Sequence, residues 1–317
     1  MELIQQTVNA LSIGAIYALI ALGYTMVYGV LKLLNFAHGE MFMLGAFFSY
    51  WLIAQVVGSS ETLSFLQFVG IGLSILFSCL LVGLVAMLLE RIVYRPLRGK
   101  PRLSPLLGAL GMSIVLQNVV QISVGPGIFA YPTLFGSTRI EIGGIGINRT
   151  AIVIIGLSVA LMAALQVFLQ RSRTGVRIRA LAEDHEIARL IGIEINKPIA
   201  AIFFIGGALG ALGGVLYAAN YGVMQFSMGT IVGLKAFTAA VLGGIGSVPG
   251  AVLGGFLLGL LETFAAGLLP KLTGGLIGTE YRDVVAFAVL IVVLIFRPSG
   301  LLGRPEGTGE ASDKKDF

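Results

Sequence analysis

Long apolar segments alternate with short polar segments along this chain. Several apolar runs approach 20 residues with few charges, which is the length that a helix needs to cross a bilayer. Backbone groups in lipid must be satisfied within their own segment, so we expect helices. The short alternating segments of a transmembrane barrel are not seen. Nine candidate spans are predicted, at residues 8–30, 39–57, 65–90, 104–124, 151–170, 199–221, 231–246, 250–268 and 281–296.

Glycine-rich composition sets two of these regions apart. Segment 39–57 and the pair within 231–268 each fit either a full span or a broken or re-entrant helix. The predicted fold is therefore an all-α integral membrane protein, a polytopic helical bundle of about eight or nine spans. Residues 1–300 would form the transmembrane domain, and 301–317 a polar, glycine-rich cytoplasmic tail.

Composition and charge agree with this fold and orient it. The chain is 56% hydrophobic and 12% charged, whereas soluble domains carry about 25% charged residues. Basic residues concentrate in loop 91–102, in loop 171–197 and in the tail, so these segments are predicted to be cytoplasmic and the N-terminus external. Loop 125–150 would then face outward and could fold into small extracytoplasmic structure. The net charge of +5 follows from these loops and does not indicate nucleic acid.

The loop between residues 171 and 197 is too long and too helix-prone for a simple connector. It holds six basic and four acidic residues. Thr174 and Gly175 can start one short helix, and the acids Glu183 and Asp184 suit the start of a second. Gly192 is a plausible stop for that second helix. Two interpretations stay open, a docking surface for a soluble partner and a basic loop lying on anionic lipid.

Polar side chains between the first two spans are candidates for function. Asn35, His38 and Glu40 either line a pathway or cap an interfacial loop. In the fourth span, Gln117 and Asn118 are adjacent and face different directions. At least one of the two should therefore point into the bundle, where bonding between helices is the expected use.

Two further charged residues lie within apolar segments. Glu262 is nearly alone as an acid in a span, and it either bonds to a neighbouring helix or couples transport to an ion. Lys235 is expected to extend its ammonium group to the membrane interface. Spans with so few ionisable groups argue against an ion-driven pump.

Motifs for catalysis are not found in the sequence. No GxxxxGK[ST] pattern occurs, so the chain does not bind ATP by that device. HExxH, CxxC and GxSxG patterns are likewise missing, and an enzyme is not predicted. No metal or other cofactor is predicted either. A transporter built on this chain would take energy from another subunit.

Five long segments carry a family resemblance: GYTMVYGVLKLLNFAHGE (23–40), RALAEDHEIARLIGI (179–193), GLKAFTAAVLGGIGSVPGA (233–251), TEYRDVV (279–285) and RPSGLLGRPE (297–306). Through them the chain resembles the inner-membrane permeases of bacterial branched-chain amino acid ABC transporters. It is most similar to the shorter of the two permeases that pair in the high-affinity system, and the resemblance spans nearly the whole chain.

The resemblance implies an amino-acid importer in the bacterial inner membrane. Its implied partners are a second permease, two cytoplasmic ATPase subunits and a periplasmic substrate-binding protein. In such importers a loop with an EAA motif docks on the ATPase, and 179–193 occupies that place here. The Glu-Ala-Ala triplet itself is missing, although Ala188 and Gly192 keep the small-residue spacing. The coupling residues implied are Arg179, Ala182, Glu183, Asp184, Ala188 and Gly192.

Two other functions stay open at this point. Closely similar permeases carry short amides or urea. A self-contained secondary transporter is the other alternative, with Glu262 or residues 35–40 coupling to an ion.

Overall fold

The protein is a bundle of helices with a few short strands at one end. A computed structural model describes residues 2–56, 65–101, 103–134, 139–142, 145–276 and 278–303. Arg102 of the predicted basic loop and residues 304–317 of the predicted tail lie outside the described residues. The α-helices are α1 Glu2–Leu31, α2 His38–Val56, α3 Phe65–Leu89, α4 Arg95–Leu97, α5 Leu103–Val124, α6 Arg149–Arg171, α7 Arg173–Glu183, α8 His185–Leu190, α9 Asn196–Tyr221, α10 Met228–Gly243, α11 Val248–Leu272 and α12 Arg282–Phe296. A π-helical turn, Glu90–Tyr94, joins α3 to α4, and a 3-10 turn, Thr279–Tyr281, precedes α12.

Each of the nine predicted spans coincides with a helix. In the described part of the chain, six helices are long and apolar enough to cross a membrane: Leu3–Leu31, Phe65–Leu97, Leu103–Val124, Arg149–Arg171, Asn196–Tyr221 and Val248–Leu272. The others, α2, α10 and α12, have 19, 16 and 15 residues. The glycine-rich segments 39–57 and 231–246 thus belong to the short helices. The chain is a multi-pass, all-α membrane protein.

Helix α1 forms the centre of the bundle. Its residues from Ala15 to Leu22 are almost completely buried. Helix α11 packs along α1 through glycines: a side chain at Gly255 would collide with the backbone of Ala18, and one at Gly259 would collide with Gly14. Helices α1 and α11 therefore approach closely at these glycines, because only residues without a Cβ allow this separation.

Helix α2 begins inside the bundle. Helix α1 ends at Leu31, because the next residue, Lys32, has a φ of 53° and cannot continue the helix. Residues 32–37 then return along α1, and the Nε2 atom of His38 lies 3.2 Å from the carbonyl oxygen of Ile20. Ile20 is eleven residues before the end of α1, which corresponds to about 16 Å along the helix. Helix α2 is continuous from His38 to Val56, and whether segment 39–57 crosses the membrane stays a prediction.

The two predicted loop regions lie at opposite ends of α9. The N-terminal end of α9 follows loop 171–197, and its C-terminal end at Gly222 leads into strand β4, Val223–Gln225. Strand β1, Ile128–Ala130, pairs antiparallel with β4, and β2, Arg139–Ile142, pairs with β3, Ile145–Asn148. Loop 125–150 thus contains the small structure predicted for it. Which end faces the cytoplasm stays a prediction.

The segment after α12 is fixed to the end of α10. The backbone N–H groups of Leu301 and Leu302 donate to the carbonyl oxygens of Leu242 and Gly243, at 3.0 and 2.8 Å. Helices leave their last carbonyls without partners inside the helix, and this segment supplies them. Residues 297–303 therefore join the end of the bundle where α10 turns into α11.

Candidate functional site: a coupling loop and two buried carboxylates

The first helix of loop 171–197 is anchored to the end of α6. The hydroxyl of Ser172 accepts a hydrogen bond from the N–H of Gly175 at 2.8 Å, which caps α7. Gly175 packs so closely against the carbonyls of Phe168 and Leu169 that a Cβ would not fit. Helix α7 then buries Ile178 and Leu181, and its arginines remain on the outer side. The predicted start of a helix at 174–175 is confirmed.

The second helix of the loop begins and ends where the sequence predicts. One carboxylate oxygen of Asp184 accepts from the N–H groups of Glu186 and Ile187, at 2.7 and 2.9 Å. The helix stops before Gly192, whose φ of 83° places it in the left-handed region. The N–H of Ile193 donates to the carbonyl of Ala188, which closes the turn. Loop 171–197 is thus a folded helical pair.

The six candidate coupling residues do not form one surface. Arg179, Glu183, Asp184 and Gly192 are exposed, and Ala182 is half-buried. Ala188, however, is 1% exposed and belongs to the apolar core. Its small size serves packing within this chain, which differs from the docking surface that the sequence suggested.

Three exposed apolar side chains at α8, two within the helix and one directly after it, were missed by sequence reasoning. Ile187, Leu190 and Ile191 are 59%, 85% and 68% exposed. Their spacing of three and four residues is the signal that could have found them, because such residues share one helix face. An apolar patch on an otherwise polar loop is typical of a contact with another protein.

A polar cleft separates α7 from the α10–α11 turn. It has a volume of about 630 Å³, and Arg179, Ala182 and Glu183 form one wall. Lys32, Ser247 and Leu302 lie on the other sides. The loop therefore meets the end of α1, the start of α11 and the segment after α12 around one depression.

His185 begins α8 and lies near Arg98 and Lys32, two basic residues from outside this loop. Burial lowers the pKa of its imidazole, and the positive charge of Arg98 adds to that effect, while Asp184 acts in the opposite direction. His185 is therefore neutral at pH 7 in the folded protein.

Glu262 lies at the centre of an ion-pair cluster. It is 3% exposed, and its Oε1 lies 2.7 Å from the Lys235 ammonium and 3.1 Å from Arg282 Nε. Its Oε2 accepts from the hydroxyl of Tyr17 at 2.7 Å. Asp283 Oδ1 completes the cluster at 2.7 Å from Lys235, at ion-pair distance though outside hydrogen-bond geometry. Two acids and two bases from α10, α11 and α12 thus balance each other.

This cluster corrects two predictions. Lys235 is 8% exposed and turns inward to an acid, so the expected extension to the interface is wrong. The charge of Glu262 is not isolated, because Lys235 and Arg282 from two other helices form ion pairs with it. The alternative of a bond to a neighbouring helix is the one that the structure confirms.

Glu40 occupies a different kind of site. It is fully buried in the first turn of α2, where its Oε1 accepts from the hydroxyls of Ser113 and Thr230, at 2.9 and 3.1 Å. Its Oε2 is buried without a hydrogen-bond partner, close to Gly229. Within the described ranges, no basic side chain forms an ion pair with it. The first turns of α2 and α10 meet at this carboxylate.

The other four candidates divide between the bundle interior and its surface. Tyr94 donates to the side-chain oxygen of buried Asn35 at 2.6 Å. His38 is enclosed by glycines of α1 and α9 and packs edge-on against Tyr24. Gln117 points to Thr230 at 3.5 Å, whereas Asn118 is exposed and bonds back to its own helix. Gln117 of this adjacent pair thus faces another helix, as predicted. Glu40 and Glu262 lie in separate clusters.

Comparison with known proteins agrees with the architecture. Residues 6–294 match the family model of the branched-chain amino acid transport system permease component. The chain is 46% identical over 312 residues to the high-affinity branched-chain amino acid transport system permease protein BraD of Pseudomonas aeruginosa, covering 96% of each. Identity to LivH of Escherichia coli, a protein of the same description, is 42% over 311 residues, again with 96% of each covered. A xylose transport system permease protein of that species, XylH, is 37% identical over only 98 residues, 29% of this chain and 25% of its own. The chain therefore belongs to the family of permease components of branched-chain amino acid transport systems.

Proposed function

We propose that this chain is one of two permease subunits of an ABC importer for branched-chain amino acids in the bacterial inner membrane. Two cytoplasmic ATPase subunits would drive it, and a periplasmic binding protein would deliver the substrate. Relatives that share about two-fifths or more of their residues along almost the full length bear this description. The short match to a xylose permease does not compete with them, because it covers less than a third of the chain.

The observation that supports drive by a separate ATPase subunit is the folded helix pair α7–α8. It stands at one end of α9 and exposes Ile187, Leu190 and Ile191. Asp184, Ala188 and Gly192 fix the shape of α8, while Arg179, Ala182 and Glu183 border the cleft beside it. In this proposal the apolar patch on α8 docks on the ATPase, and the six named residues hold or flank that patch.

Reconstitution of the complete complex tests the proposal. The chain is produced with candidate ATPase, second permease and binding-protein subunits from the same organism, and ATP-dependent uptake of [³H]leucine into proteoliposomes is measured. Leu190→Glu should abolish most ATPase co-purification, because it places a charge within the docking patch. Glu194→Gln is the matched control, since Glu194 is exposed and forms a surface ion pair with its neighbour Lys197. Ala188→Arg tests docking less cleanly, because Ala188 is buried and the larger side chain would also disturb the packing of α8.

If the complex transports urea or short amides and does not transport leucine, the substrate assigned in this proposal is wrong. Uptake by the chain alone, driven by an ion gradient without ATP, would refute it. The ion-coupled alternative lacks support from Glu262, whose charge is already balanced by Lys235 and Arg282.

A further inference from the structure

Polar side chains mark one outer face of the bundle, between α5 and α10. Asn118 and Thr230 are exposed on it, and Gln117 is half-buried. Polar side chains within membrane spans face other helices or water-filled paths, because contact with lipid is costly. The α5–α10 face is therefore a side of the bundle that meets water or protein.

Glu40 lies directly behind this face. Its Oε1 receives the hydrogens of Ser113 and Thr230, and its Oε2 has no hydrogen-bond partner. Buried charges are normally paired, since an unpaired charge in a low-dielectric interior is expensive. Glu262 follows that rule with two bases, but no base pairs with Glu40 in the part of the chain that the structure describes. The arrangement lacks a cationic hydrogen-bond donor.

The hydroxyl geometry gives the direction from which such a donor would come. A hydroxyl has one hydrogen and two acceptor lone pairs. Ser113 and Thr230 donate their hydroxyl hydrogens to Glu40, so their oxygens can act only as acceptors. Gln117 donates to the Thr230 oxygen at 3.5 Å, which leaves one acceptor position on this exposed residue. The face thus offers hydroxyl oxygens backed by a carboxylate, a combination that favours an ammonium group.

Neighbouring apolar side chains fit the aliphatic part of an amino acid. Ile114 and Ile231, on the two helices that border the site, are 59% and 55% exposed. The ammonium group and the aliphatic side chain would each find a complementary surface.

We propose that Ser113 and Thr230, held and polarised by Glu40, bind the α-ammonium group of the amino acid during its passage through the permease. Glu40 acts here as a positioning residue and as the source of negative charge. This inference rests on the proposed function and names the part of the permease that touches the substrate.

The test measures ligand binding to the permease–ATPase complex in nanodiscs, without the binding protein. Saturation-transfer NMR follows leucine, with two competitors that each lack one charged group: 3-methylbutylamine has no carboxylate, and 4-methylpentanoate has no ammonium. The amine should displace leucine, and the acid should do so at least about ten-fold more weakly. Glu40→Gln should weaken leucine binding about ten-fold or more, the range for hydrogen bonds to charged groups.

Matched variants separate recognition from folding. Glu280→Gln removes an exposed charge at a distant turn and should keep leucine binding within about two-fold. Thr230→Val keeps the shape of an exposed side chain and removes one hydroxyl, so it tests the site even where Glu40→Gln fails to assemble. It should weaken leucine binding several-fold, by loss of one acceptor.

Three results would overturn the inference while leaving the import function intact. They are no leucine binding by a wild-type complex that imports leucine, wild-type binding in both Glu40→Gln and Thr230→Val, or equal competition by amine and acid. Failure of the wild-type complex to import leucine would instead refute the proposed function.

Discussion

The two buried carboxylates Glu262 and Glu40 differ in how the surrounding side chains compensate their charge. Glu262 is held between Lys235 and Arg282 and also accepts from Tyr17, so both of its oxygens have partners. Glu40 has two hydroxyls on one oxygen and none on the other. The first site is electrically complete within the chain, whereas the second is not.

This difference predicts that the Glu262 cluster maintains the fold and that the Glu40 site tolerates loss of its charge. Removing one member of a complete buried cluster leaves an opposite charge stranded, and that is strongly destabilising. Neutralising an uncompensated charge removes a desolvation cost and leaves nothing stranded. Substitutions at the two sites should therefore separate stability from transport.

The largest effect on stability is expected for Lys235→Met. It strands the acids Glu262 and Asp283 near Arg282 alone, and the loss should be about 3–5 kcal/mol. Thermal unfolding in detergent, followed by size-exclusion chromatography, measures it. The double variant Lys235→Met with Glu262→Met should lose less than the sum of the single losses. Strict additivity would contradict coupling between the two residues.

Neutralising each acid in turn sharpens the comparison. Glu262→Gln should destabilise by roughly 2–4 kcal/mol, because Lys235 and Arg282 lose their shared partner. Glu40→Gln should change stability by less than about 1 kcal/mol in either direction, since its hydroxyl partners can still donate to the amide oxygen. The melting temperatures of both variants and their leucine uptake are measured together. Equal destabilisation by the two changes would show that the sites are of the same kind.

Loss of a single hydroxyl should give a smaller effect. Tyr17→Phe leaves Oε2 of Glu262 without its donor and should cost about 1.5–3 kcal/mol, the range for bonds to charged groups. Tyr131→Phe is the matched control, because its hydroxyl bonds to neutral Ser49 at 2.7 Å. It should cost only about 0.5–1.5 kcal/mol. A control as costly as Tyr17→Phe would mean that the charge of Glu262 adds nothing.

The smallest effect is expected at His185, where solvent reaches the side chain. Its pKa is lowered in the folded protein, so the unfolded chain binds more protons below its own pKa of about 6.5. Stability contributed by His185 is thus present above pH 6.5 and is lost as the pH falls below it. The difference in melting temperature between wild type and His185→Gln should shrink between pH 7.5 and 5.5. A difference that grows on acidification would reverse the assigned direction.

Much of the fold follows from local patterns in the sequence. The nine helical segments are visible as apolar runs, and the caps at Asp184 and Gly192 follow from the chemistry of single residues. The start of α2 inside the bundle does not follow from local patterns, because the contact of His38 with Ile20 depends on how α1 and α2 pack.

The site residues show where sequence patterns stop being sufficient. Lys235 and Glu262 are 27 positions apart on different helices, and Arg282 comes from a third. No periodicity links three helices, so the charge balance could not be foreseen. The burial of Ala188 could not be foreseen for another reason: α8 has six residues, too few for a helical period to show which face is buried.

The attachment of residues 301 and 302 to the end of α10 has a practical consequence for tagging. A label joined after Gly303 starts beside the cleft bordered by Arg179, Ala182 and Leu302. The first residues of α1 start at the other end of the molecule, about 45 Å away along a 30-residue helix. A fluorophore on Leu302 or Gly303 would therefore report on events at α7 and α8, and a bulky label placed there would crowd that surface. The N-terminal side is the place for a tag that must leave the α7–α8 pair accessible.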